Sequence, residues 1–203
     1  MLADFCISPK HKRSDFPRVL TLDDKIEVFE DRTLGWQLDI AERVANGVKA
    51  DDGTTKCKPT KHSGFAVLHI LFSYFEMIGT LETGYTGEGR SKEYFKEGFC
   101  SVFPAATQYK QGKLSDRLYG QVRCGLYHWG GSGSDVVLSG GLEAAMDFNT
   151  TGGGIGINPH LLPAAIKRHL LDYTSRLRDP GNDKLRANFE RRFDHNSTPP
   201  PIK

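Results

Sequence analysis

The chain has 203 residues, 38% of them hydrophobic, which suits one globular domain whose core needs no disulfide or metal staple. Its 27 Lys and Arg nearly cancel its 25 Asp and Glu, for a formal +2. That balance excludes a strongly basic DNA-coating protein and a highly charged disordered chain. Glycine is the outlier, at 22 of 203 residues against a typical ~7%.

Residues 1–20 read as an N-terminal extension: Met-Leu-Ala-Asp-Phe-Cys, then the basic run Pro9 to Arg13, with no apolar signal region behind it. Thr21 is a helix cap followed by an acidic first turn, Asp23 and Asp24. Ile26, Phe29, Trp36, Ile40 and Val44 then keep helical spacing, and Gly47 is a natural stop. Residues 48–62 are polar and turn-rich and read as a loop. A more buried helix is expected from about Ser63 to Gly79. Its apolar stretch from Phe65 is broken by His69, Ser73 and Glu76 and is shorter than the roughly 20 residues of a membrane span, so no membrane is expected. Gly84, Gly87 and Gly89 form a connector. Ser91 opens a short helix with Tyr94, Phe95, Phe99 and Phe103 before Pro104. Ser115 and Asp116 cap a fourth helix through Leu118, Tyr119, Val122 and Leu126.

Beyond this the character changes. Residues 130–157 read as a glycine-rich β-hairpin insertion, with short β-like runs at Asp135–Ser139 and Leu142–Phe148 and Gly140-Gly141 as their turn. Gly152 to Gly156 lacks the lysine of a phosphate loop and reads as a flexible turn. Helix returns with Ile166, Leu170, Tyr173 and Leu177, begun at Asn158-Pro159 or Pro163 and ended by Pro180-Gly181. A last basic helix spans Asp183 to Phe193, and residues 194–203 read as a disordered tail. The expected architecture is mainly α: a single domain over residues 21–193, an antiparallel helical bundle with a small β-hairpin insertion after the fourth helix.

The four cysteines (Cys6, Cys57, Cys100, Cys124) form no CxxC pair, so free thiols in a reducing cytoplasm are expected. Cys57 and His62 have a ligand-like separation, yet no second pair joins them. Neither a metal nor a cofactor is expected. The pattern that carries chemistry lies on the fourth helix, Leu118-Tyr119-Gly120-Gln121-Val122-Arg123-Cys124-Gly125-Leu126-Tyr127-His128. Here an arginine is followed five residues later by a histidine, at the end of an amphipathic helix. On an ideal helix five residues turn through about 140°, so either the helix loosens near Gly125 or the two side chains meet a substrate from different angles.

The Arg-x-x-x-x-His pattern on a late helix of a helical bundle resembles the HEPN (higher eukaryotes and prokaryotes nucleotide-binding) superfamily. The string from Val122 to His128 is similar to the RCGLLH wording of bacterial members. The resemblance implies a metal-independent ribonuclease acting across a homodimer, of the kind used in toxin–antitoxin or antiviral systems, with RNA as substrate and an antitoxin protein as partner. Arg123 and His128 are its catalytic pair. Many members carry Asn, Asp or His directly after the arginine, where this chain has Cys124. The residue chemistry agrees: RNA supplies its own 2′-OH nucleophile. A histidine can move protons near neutral pH, and an arginine offers a permanent planar charge to the phosphate.

Supporting candidates are Glu76, which shares a helix face with His69 and can orient Arg123; Tyr119, four residues before Arg123; and Cys124. Core packing or a polar seam is the plainer role for Glu76 and Tyr119. Residues 158–203 carry a local excess of Lys and Arg, including Arg191 and Arg192, which can attract an RNA backbone or form a solvated face. Two other readings stay open. One is a catalytically silent module that binds a nucleotide or a protein. The other is a structural helical dimerisation domain in which Arg123 is locked in an intramolecular ion pair.

Overall fold

The computed structural model describes residues 4–16, 19–108, 113–148 and 154–197. It is 62% helix and 8% strand, so the mainly α class holds. Thr21 caps α1 (Leu22–Thr33) reciprocally: its Oγ1 accepts the Asp24 amide at 3.3 Å while its own amide donates to the Asp24 carboxylate at 2.7 Å. A π-helical turn, Leu34–Leu38, joins α1 to α2 (Asp39–Asn46), which ends at Gly47 with φ +72°. The turn changes which side chains are buried. Trp36 and Ile40, expected on the apolar stripe, are 50% and 44% exposed, while Leu38, Ala41 and Ala45 are buried. A π turn holds one residue more than an α turn and rotates everything after it off the 3.6-residue phase.

The central helix is α3 (Gly64–Thr83), one turn longer than expected. At 20 residues, with a mean hydropathy of 1.5 over its most apolar window, it is long and apolar enough to cross a membrane, which corrects the expectation from length. Here it is packed, with Val67, Leu68, Leu71, Phe72, Phe75 and Ile78 fully buried. Helix α4 (Ser91–Val102) lies against it at close range. A Cβ at Gly79 would strike the Tyr94 carbonyl and one at Gly98 the Phe75 carbonyl, so two glycines set the approach. Phe75 meets Phe95 and Phe99 edge-on at 5.5 and 5.2 Å between ring centres.

Ser115 and Asp116, expected as caps, lie inside α5 (Lys113–Arg117), where Asp116 pairs with Lys92 and Lys96 at 3.1 and 3.2 Å. A second π-helical turn, Leu118–Cys124, runs from α5 into α6 (Gly125–Trp129), and Gly130 at φ +73° ends the rod.

Two small sheets form among the described residues. Within the segment read as a loop, β1 (Val48–Lys49) and β2 (Thr55–Cys57) pair antiparallel. The expected hairpin does not form. Instead β5 (Ile155–Ile157) lies between β3 (Val136–Leu138) and β4 (Met146–Asp147), parallel to the first and antiparallel to the second. Ile155 and Ile157 are fully buried and β-branched, which suits the central strand, and the 139–154 segment is long enough for the parallel crossover. Asn158 closes this unit, its Nδ2 donating to the carbonyls of Gly140 and Leu142 at 3.3 and 2.7 Å. Gly152 and Gly153 of the expected flexible turn lie outside the described residues.

Helix α7 (Leu162–Arg178) has Pro163 in its first turn and buries Ile166, Leu170, Tyr173 and Leu177, as its spacing predicts. Helix α8 (Asp183–Ser197) continues past Phe193, so residues 194–197 are helical rather than part of a disordered tail; the rest of that tail lies outside the described residues. The extra turn is held by the buried Lys25 of α1, whose Nζ donates to Glu190 at 2.7 Å and Asp194 at 2.9 Å. Burial opposes the Lys25 charge, but these two carboxylates outweigh it and raise the pKa. Residues read as an N-terminal extension join the same core through Ile7 and Phe16, and the Lys10 amide donates to Asp31 at 2.8 Å.

Candidate functional site

The second π turn carries Arg123 near its end and is followed at once by α6 with His128. The rod therefore does loosen between the motif and its start, in the residues just before Gly125. Tyr119 and Tyr127, four residues to either side, flank the Arg123 cation. The guanidinium carbon sits 5.5 Å from the Tyr119 ring centre and 4.9 Å from that of Tyr127. Its Nη2 donates to Glu76 Oε2 at 3.1 Å, across to α3. Partial burial alone would lower the pKa of Arg123, but the nearby Glu76 and Tyr119 outweigh it and raise it. The charge is therefore fixed in place and permanent.

Tyr119 also anchors the rod, with its hydroxyl donating to Ser91 Oγ at 3.1 Å and its ring 5.5 Å from Phe95. Glu76 thus orients Arg123, and Tyr119 both packs in the core and flanks the cation. Cys124 is half-buried and a free thiol, as are Cys100 and the exposed Cys6 and Cys57.

A cavity of about 260 Å³ opens beside Arg123, lined also by Ser73, Glu76, Tyr127, Arg192 and Asn196. His128 does not line it. It stands on the exposed surface beside Tyr127 and Trp129 and makes no side-chain hydrogen bond, ion pair or ring contact among the described residues. The site is therefore divided, with a fixed cation in a recess and a free imidazole on the adjoining face. His69, on the α3 stripe with Glu76, packs edge-on against Tyr127 at 5.8 Å.

Two parts of this region could not be placed beside Arg123 from sequence. Arg192 and Asn196 reach the cavity from α8, and Arg192 Nε is buried with no hydrogen-bond partner. The sequence signal was Arg192 beside the core residue Phe193, but only the packing of α8 on α3 turns it toward Arg123.

A second polar cluster lies between α3, α4 and α7. The Tyr74 hydroxyl meets His169 Nδ1 at 2.9 Å, and Ser101 Oγ meets His169 Nε2 at 3.0 Å and donates to Glu82 at 2.7 Å. Burial pushes the His169 pKa down to about 4, and burial raises those of Glu82 and Tyr74. Burial thus opposes the charged form of each of these three groups, as in a hydrogen-bonded polar seam. Among the described residues no group of three or more His, Cys, Asp or Glu is placed to hold a metal.

Comparison with protein-family models, with curated proteins and with solved structures finds no match for this chain.

Proposed function

We propose that the chain is a HEPN-type endoribonuclease, metal-independent and cytoplasmic, with its site completed at a homodimer interface and a protein antitoxin as partner. The observation that carries this reading is the placement of Arg123. It is clamped by two tyrosine rings and Glu76 beside a recess that holds a second cation, Arg192, and lies five residues from an unengaged His128. In the reaction the 2′-oxygen of one nucleotide forms a bond to the adjacent phosphorus as the bond to the 5′-oxygen breaks. One His128 takes the 2′-OH proton and the His128 of a second copy gives a proton to the leaving 5′-oxygen. The products are a 2′,3′-cyclic phosphate and a 5′-hydroxyl. Arg123 and Arg192 face the non-bridging oxygens, where charge builds. A homodimer doubles each group, which supplies separate acid and base.

A second reading, a silent binding module or a structural dimerisation domain, is favoured by the Arg123–Glu76 ion pair, which half-neutralises the cation in advance. Labelled RNA incubated with the purified protein in EDTA separates them. Cleavage that persists in EDTA and is lost in His128→Ala is the expected result. RNA bound but left intact at high protein concentration would establish the silent module instead.

A further inference from the structure

A cavity larger than the Arg123 recess lies at the N-terminal end of α3. It is a groove of about 900 Å³ between the segment after β2 and the turn after β3, lined among others by Lys58, Lys61, His62, Phe65, Leu138 and His160. Among the described residues no carboxylate lines it. Lys58 and Lys61 are exposed and neither forms an ion pair among the described residues. Phe65, at 40% exposure, offers an apolar ring face inside a cationic wall. Ser63 and Gly64 put the positive end of the α3 dipole in the same wall, which adds to the field of the lysines.

One face of α3 runs from the groove to the Arg123 recess. Phe65, His69, Ser73 and Glu76 fall at steps of four, four and three on α3 and so form one stripe about 16 Å long. At its far end Ser73 and Glu76 line the recess, and midway His69 carries the ring of Tyr127. Two cation-rich depressions are thus joined by a track with aromatic faces. Alternating cationic and aromatic surface matches one kind of ligand, a single-stranded polynucleotide, whose phosphates seek the lysines and whose bases stack on rings. We infer that the groove is a second subsite, which holds the backbone of the same RNA strand that Arg123 and His128 act on, away from the reacting phosphate. The inference rests on the ribonuclease reading only for the identity of the strand as RNA.

The test uses the full chain and a fluorescein-labelled, uncleavable 2′-O-methyl oligouridylate, read by anisotropy over a salt series, with Lys58→Glu/Lys61→Glu and Phe65→Ala beside the wild type. Both substitutions lie on exposed surface, and circular dichroism reports whether each variant is folded. Charge reversal is expected to weaken binding at least about tenfold and to flatten the log–log salt dependence by about 1.4, the contribution of two phosphate contacts on a single strand. Phe65→Ala is expected to cost about tenfold at any salt. Affinity and salt slope unchanged in the double variant would overturn the inference, as would uridine monophosphate competing as well as the oligomer. Cleavage is scored separately with the wild type. Groove-dependent binding without cleavage would sink the ribonuclease reading and leave the subsite standing, and cleavage with groove-independent binding would do the reverse.

Discussion

At the scale of single residues, the guanidinium of Arg123 does what an ammonium cannot. It lies against two aromatic faces while one edge bonds Glu76 and leaves other N–H donors for a phosphate. Arg123→Lys keeps the charge but loses the planar fork and the stacking. It should lower kcat about 100-fold with little change in thermal midpoint; equal activity in single-turnover assays would mean that the cation acts only as a point charge. Arg123, His128, Glu76 and Tyr119 were legible because their spacing along two helices is a local property. Arg192 was legible only as one of several cations of the last helix, since nothing within α8 says which of two adjacent arginines turns toward α3. The His69–Tyr127 contact was hidden for the same reason.

At the scale of elements, the two π turns explain most of the gap between periodicity and structure. A hydrophobic stripe read at 3.6 residues per turn passes smoothly through Ile26, Phe29, Trp36 and Ile40, yet the extra residue in Leu34–Leu38 turns the last two outward. The β unit failed differently. Strand pairing is non-local, and Gly140-Gly141 between two short β-like runs looks like a hairpin until Ile155 and Ile157 compete for the centre. The α3–α4 contact depends on Gly98, so Gly98→Ala should destabilise the protein by about 3 kcal/mol in urea titration; a loss below about 1 kcal/mol would show that the helices separate easily. Lys25 fastens α8 in a comparable way. Lys25→Met leaves two half-exposed carboxylates that rehydrate, so its cost should fall below that of a fully buried pair, at about 2 kcal/mol. The same variant should raise amide exchange selectively over residues 190–197, and uniform exchange along α8 would argue against the clasp.

At the scale of the whole molecule, the polar seam of Tyr74, Ser101, Glu82 and His169 couples stability to pH. His169 ordinarily titrates near 6.5 and is held down to about 4, so between those values the unfolded chain takes up a proton that the folded chain refuses. Stability is therefore fully present above about pH 6.5 and falls as pH drops toward 4, by about 2 kcal/mol once partial exposure is discounted. Glu82 acts in the opposite sense. Its raised pKa contributes stability that is present at low pH and lost as pH rises through the folded value, so it returns part of the loss in acid. Asp172 and Arg176, near His169 on α7, pull its titration in opposite directions. Urea midpoints from pH 7 to pH 4 should fall for the wild type and fall less for His169→Gln; parallel curves would show that the seam does not carry the acid sensitivity.

The near-neutral charge of the whole chain also looks different in three dimensions. Four cations lie at the two ends of one stripe on α3, Lys58 and Lys61 at one end and Arg123 and Arg192 at the other. The proposed action on RNA turns on the nucleophile. The most direct measurement is therefore end-group analysis of RNA cut by the wild-type protein in EDTA, with a matched oligomer carrying a single 2′-deoxynucleotide at the cleavage position. Attack by the 2′-OH should leave 2′,3′-cyclic phosphate and 5′-hydroxyl ends and should stop at the deoxy position. Cleavage that continues there, or 5′-phosphate ends, would contradict it.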